Sequence, residues 1–122
     1  MSSVYGGMTA CESEVAAYLK KLKLYWKFEF PIFVYDERNR PRVWTPDFYL
    51  PKLNMFIEVC GSENFDYTYR EGVYKKNGFL VVFLHLYKGE QWKSFLIKRM
   101  MEIEEYRHKE TKKMLTSLID NK

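Results

Sequence analysis

Apolar residues return at helical spacing soon after the chain begins. Val15, Leu19 and Leu22 share one stripe, and Thr9-Ala10-Cys11-Glu12 ahead of them has the form of a capping box, with Thr9 as N-cap. The pattern predicts a helix to about Leu24, preceded by a loose leader over residues 1–8. The periodicity then changes. Tyr25 to Tyr35 is aromatic and β-branched and reads as a strand, with Pro31 marking an irregularity or an edge. After the polar turn Asp36-Glu37-Arg38-Asn39-Arg40-Pro41, a second strand runs from Val43 to Leu50. Pro51-Lys52-Leu53-Asn54 turns into a third, Met55 to Cys60.

Gly61-Ser62 ends that strand, and a helix from about Asn64 to Lys76 stops at Asn77-Gly78. Phe79 to Tyr87 is a continuous apolar run, the mark of a strand buried on both faces. Lys88-Gly89 leads into a long helical stretch with Trp92, Phe95, Leu96, Met100 and Ile103 as its apolar stripe. Glu104 to Lys113 is nearly all polar; Met114, Leu115, Leu118 and Ile119 then resume the stripe. A helix from Glu90 to Asp120 would be about 45 Å long at 1.5 Å per residue, too long for so small a domain. Either it breaks near Arg107 and folds back, or its end packs on a second chain. The order α-β-β-β-α-β-α predicts a single α/β domain over 1–122. Its central mixed sheet has about four strands flanked by helices, with a parallel, right-handed crossover between the last two. Residues 104–122 form a C-terminal extension or dimerisation segment.

Composition adds limits. A chain of 122 residues that is 47% hydrophobic can bury a core, which excludes a disordered chain. Aromatics reach 18%, enough that some must lie on a surface or line a groove. Lysine and arginine outnumber the acids 20 to 16, a net charge of +4 that is compatible with nucleic acid. Cys11 and Cys60 give neither a disulfide framework nor zinc spacing, and Cys60 reads as a small buried side chain. No signal-peptide pattern opens the chain, and no apolar run approaches the ~20 residues of a membrane span. The expected location is cytoplasmic, with no membrane partner.

Two acids stand where strands seldom carry them, Asp47 in Trp44–Leu50 and Glu58 in Met55–Gly61. Strand alternation puts Phe56, Glu58 and Cys60 on one face, and pairing through the short turn would set Asp47 beside Glu58. Half-buried carboxylates need a cation or a hydrogen-bond network, and paired carboxylate oxygens suit Mg²⁺ or Mn²⁺. In a basic protein such a site points to phosphodiester chemistry, because a metal-bound water becomes a nucleophile. Structural alternatives stand beside this: Asp47 as a turn or cap residue, and Glu58 in a buried ion pair with an arginine. Arg38, Arg40 and Arg42 form either a solvated loop or a phosphate-contacting finger. His85 and His108 read as packing and solvent-facing residues, while Tyr67, Tyr69 and Tyr74 divide between core and surface, with groove stacking open to them.

Pro46-Asp47, the intervening hairpin and Glu58-x-Cys60 resemble the PD-(D/E)xK nuclease superfamily, and the element order resembles its core over nearly the whole chain. The resemblance implies a restriction endonuclease-like fold and a Mg²⁺- or Mn²⁺-dependent DNA endonuclease. It would be structure-selective or nicking, serving repair, recombination or mobile-element processing. It implies a homodimer, and reading of DNA shape or a partner protein for sequence recognition. It also implies Asp47, Glu58, the backbone carbonyl of Val59 and Glu12 as metal ligands, with Glu14 as an alternative to Glu12. Arg70-x-x-x-Tyr74-Lys75-Lys76-Asn77-Gly78 resembles the helix that follows the motif. The motif lysine is Cys60 here, and a neutral thiol can neither orient water nor steady charge. Arg70 is the substitute cation; it can stabilise phosphate charge but cannot act as a base. Lys75 and Lys76 are second choices and, with Arg38, Arg40 and Arg42, candidate nucleic-acid contacts. The alternative is a catalytically inactive nuclease-fold module that binds nucleic acid or a protein partner.

Overall fold

A computed structural model describes residues 7–120, so most of the expected leader lies outside the described residues. Met8, at its end, packs against the core. Helix α1 (Ala10–Lys21) begins at the expected capping box: Thr9 Oγ1 accepts from the Glu12 amide at 3.1 Å, and Glu12 Oε1 accepts from the Thr9 amide at 2.9 Å. The helix buries Val15, Ala16 and Leu19.

The stretch expected as one strand from Tyr25 to Tyr35 is two, β1 (Lys27–Phe28) and β2 (Ile32–Tyr35). Glu29 at φ 55° turns the chain out of the ladder, and Pro31 supplies no amide to continue it. The second expected strand is also split, into β3 (Pro41–Trp44) and β4 (Phe48–Leu50). Strands β2 and β3 pair with each other as a separate hairpin, whereas β1, β4, β5 (Met55–Cys60) and β6 (Val81–His85) make one sheet in the order β1-β4-β5-β6. Its β1–β4 and β4–β5 pairs are antiparallel and β5–β6 is parallel, the mixed four-stranded sheet that the element order predicts.

Helix α2 (Thr68–Lys76) starts later than Asn64, because the Ser62 hydroxyl and the Asp66 carboxylate hold Asn64 and Thr68 amides in turns at 3.1 and 2.9 Å. The expected strand from Phe79 to Tyr87 is shorter too, and its end winds into a 3₁₀ turn over Leu86–Lys88.

The sheet is buried on both faces, as β5 requires. On one face Phe48, Leu50, Ile57 and Leu84 pack with Val15 and Leu19 of α1 and with Leu96 of α3 (Trp92–Asp120). On the other, Phe56, Cys60 and Phe83 pack with Val73 and Tyr74 of α2 and with Ile32 and Val34 of the hairpin. The molecule is therefore a three-layer α/β domain with three helices, the hairpin sharing the α2 layer.

Helix α3 does not break near Arg107. It is one helix of 29 residues, and the Arg107 guanidinium donates to the carbonyls of Leu53 and Asn54, which ties its middle to the β4–β5 turn. Trp92, Leu96, Met100 and Ile103 are buried, but Phe95 is exposed and so are Met114, Leu115, Leu118 and Ile119. Among the described residues no helix is long and apolar enough to cross a membrane.

Candidate functional site

The β4–β5 register pairs Phe48 with Ile57, so the next step outward brings Asp47 to Glu58. Asp47 lies just before β4 rather than within it. Its carbonyl accepts from the Glu29 amide at 2.9 Å, which extends the β1–β4 ladder and fixes its backbone. Its amide donates to Glu58 Oε1 at 3.3 Å, and its Oδ2 accepts from the Val59 amide at 2.7 Å. The sequence expectation that the two acids lie together is met.

Glu58 is 6% exposed and its two oxygens differ. Oε2 accepts from Arg70 Nη2 at 2.5 Å, from Arg70 Nε at 2.9 Å and from the Tyr74 hydroxyl at 2.7 Å. Among the described residues Oε1 has only the long bond from Asp47. Arg70 also lies over the Trp44 ring, 4.9 Å from its centroid, so the hairpin and α2 together orient it. The candidate cation is therefore engaged: Arg70 is the ion-pair partner that a buried Glu58 calls for. Tyr74 and Trp44 escaped the sequence reading as site residues, although the i, i+4 spacing of Arg70 and Tyr74 places them on one helix face.

Among the described residues Asp47 has no such cation. Burial pushes its carboxyl up to about 8; the Val59 amide opposes the shift, while the Glu12 carboxyl, within hydrogen-bonding reach, and the charge of Glu58 reinforce it. Glu12 thus reaches Asp47 as well as capping α1, and Glu14 is exposed. Among the described residues no group of three His, Cys, Asp or Glu side chains is placed to hold a metal ion. The acids fan out instead, Glu12 toward the Thr9 amide and Glu58 toward Arg70. The donor types still suit a hard divalent cation: the carboxylate oxygens of Asp47 and Glu12, and an Oε1 on Glu58 that is not the oxygen bound by Arg70.

Asp47 and Glu58 open into a cleft of about 380 Å³, lined also by Val59, Arg70, Phe65 and Tyr67. Val59 gives its amide to Asp47 there. Cys60 lies in the α2-side core, fully buried, with burial and the nearby acids pushing its thiol up to about 12. It has no access to chemistry in the cleft.

The other candidate cations lie away from the acids. Asp36, 2% exposed, is the anchor of the hairpin turn: Oδ1 accepts from the amides of Arg38 and Arg40, and Oδ2 from the guanidinium nitrogens of Arg40 at 2.9 Å and Arg42 at 3.2 Å. Burial resists ionisation, but these donors hold its carboxyl well below the usual range. Arg40 and Arg42 are thus turn-forming ion-pair partners, each about half exposed. Lys76 donates to the Asp36 carbonyl at 2.6 Å and to Asn39 Oδ1 at 2.8 Å, clamping the hairpin to α2. Lys75 lines a different cleft, with Glu71 and Arg99. No protein-family model matches the chain, and no curated protein or solved structure matches it significantly.

Proposed function

We propose that the protein is a Mg²⁺- or Mn²⁺-dependent DNA endonuclease of the restriction endonuclease-like kind, with Asp47, Glu58 and Glu12 as the residues that hold the metal. The observation that carries the reading is Asp47, a half-buried carboxyl set between Glu58 and Glu12 whose own contacts are an amide and another acid. A bound Mg²⁺ or Mn²⁺ would supply Lewis acidity and an acidified water at this position. Arg70 and Tyr74 hold Glu58 with its Oε1 toward Asp47, and the Arg70 side chain, 31% exposed, keeps an edge where a phosphate oxygen can be met. Phe65, 53% exposed, and Tyr67 offer ring faces for unpaired bases at the mouth of the cleft.

A second reading rests on one observation, the engagement of Arg70. With Cys60 buried and Arg70 spent on Glu58, the domain would be a catalytically inactive module that binds nucleic acid or a protein. Calorimetric titration of Mn²⁺ into the chain and into Asp47→Asn, followed by DNA binding with the metal present, separates the two. The nuclease reading expects metal binding that Asp47→Asn abolishes. DNA binding with no metal affinity would favour the inactive module.

A further inference from the structure

We propose that α3 is the interface of an antiparallel homodimer, in which the helix tail of each copy fills an apolar groove beside α3 of the other. This inference stands apart from the proposed chemistry and uses none of the site residues.

The groove lies between the end of α1 and α3. It holds about 540 Å³ and is lined by Leu22, Leu24, Leu53, Ile97 and Met101, with Glu104. The tail carries the matching shape. Leu96, Ile97, Met100 and Met101 recur as Met114, Leu115, Leu118 and Ile119, each about five turns further at 3.6 residues per turn, so each points in the direction of its predecessor. Upstream, Leu96 and Met100 are buried in the core, and Ile97 and Met101 line the groove. Downstream the same face is bare: Met114 is 56% exposed, Leu115 51%, Leu118 62% and Ile119 67%. A contiguous apolar stripe of this kind is unusual on a monomer surface.

Both patches lie on one face of a single uninterrupted helix. A twofold axis across α3 near His108 lays Leu115 of one copy on Met101 of the other, and Leu118 on Ile97. The same operation fills the second groove, so the contact is isologous and closed. Positions Ile97, Met101, Glu104, His108, Thr111, Leu115 and Leu118 alternate spacings of four and three along this face, the seam of a two-helix packing.

Charge selects the direction and the occupant. Glu102, Glu104 and Glu105 precede the middle of the exposed half, and Lys109, Lys112 and Lys113 follow it. Antiparallel copies set each acidic segment against the partner's basic one, whereas parallel copies would oppose like charges. Within one copy Glu102, Glu104 and Glu105 pair with Arg99 at 2.8 Å, Arg107 at 3.6 Å and Lys109 at 3.5 Å, solvent-facing pairs weak enough to exchange.

Sedimentation equilibrium of the full chain at micromolar concentration, with Leu115→Asp/Ile119→Asp alongside, reads the interface. The expected result is twice the chain mass for the parent and a twofold fall for the variant, with helical circular dichroism showing that the variant is folded. His108→Cys in a Cys11→Ser background should form a disulfide-linked dimer under mild oxidation, and Lys98→Cys should not. A monomeric parent, a dimer indifferent to the tail substitutions, or crosslinking at position 98 instead of 108 would overturn the proposal.

Discussion

Arg70 and Glu58 form a forked contact on a single oxygen: Nη2 and Nε of the guanidinium lie 2.5 and 2.9 Å from Oε2, and the Tyr74 hydroxyl joins them at 2.7 Å. Burial disfavours the Arg70 cation, yet the charge of Glu58 raises its pKa above the ordinary value. One carboxylate oxygen thus fastens β5 to α2 while the other turns to Asp47.

Arg70→Ala would leave Glu58 buried without its cation. Breaking a fully buried pair costs about 3–5 kcal/mol, and the 31% exposure of Arg70 reduces the expected loss to about 2 kcal/mol. Urea unfolding checks it, and a Glu58→Met/Arg70→Met double variant should lose much less than the two single variants summed. Additive losses would contradict the pairing.

The pH dependence of stability follows from Asp47. Its folded-state value of about 8 stands above the ordinary 3.8, so the folded chain holds the proton more tightly than the unfolded one. The stabilising contribution is complete below the unfolded value and is lost as pH rises toward the folded one. Asp36 works oppositely, since its depressed value adds stability that is lost only on acidification. Above about pH 5, where Asp36 is ionised in both states, the melting temperature in EDTA should fall to about pH 8 and then level. Asp47→Asn should flatten that slope, and Mn²⁺ should raise the melting temperature most at the alkaline end, where no proton competes for the site.

Asn77 clips the hairpin to the end of α2, its amide accepting from Tyr35 N at 2.8 Å and donating to Tyr35 O at 2.9 Å and Val73 O at 2.8 Å. Asn77→Ala should cost about 1–2 kcal/mol. Hydrogen exchange should quicken across β2 and β3 while β5 and β6 stay protected. Uniform loosening of the whole sheet would mean the hairpin is not an independent unit.

A lysine at position 60, where the nuclease resemblance expects one, should not be tolerated. Cys60 is packed among Phe56, Val73 and Tyr74 with no exposed surface, so Cys60→Lys would bury an ammonium in an apolar layer, at about 3 kcal/mol or more. The melting temperature should drop sharply without a gain of cleavage. A stable variant with new metal-dependent cleavage would show that the side chain reaches the cleft.

The Asp47–Glu58 contact was legible in the sequence because period-two alternation and a short turn leave little choice of register. The four-stranded mixed sheet followed from the element order for the same reason. That the hairpin stands apart from the sheet was not legible. Its separation depends on the positive φ of Glu29, which no residue preference announces, and on Asp36, a turn acid whose burial comes from arginines folding back over it. Three arginines in five residues read as a solvated loop or a phosphate-contacting finger, and nothing in that pattern tells that Asp36 binds two of them. The unbroken α3 was hidden by its polar middle, since a polar run does not reveal that Arg107 reaches across to the Leu53 and Asn54 carbonyls.

The most direct measurement is cleavage of a labelled DNA panel (duplex, nicked, flap, four-way junction and single strand) with Mg²⁺ or Mn²⁺, with Asp47→Ala alongside. A metal-dependent nuclease centred on Asp47 should give cutting that requires the metal and disappears in the variant. Intact DNA across the panel, under conditions where the chain binds it, would contradict the nuclease reading.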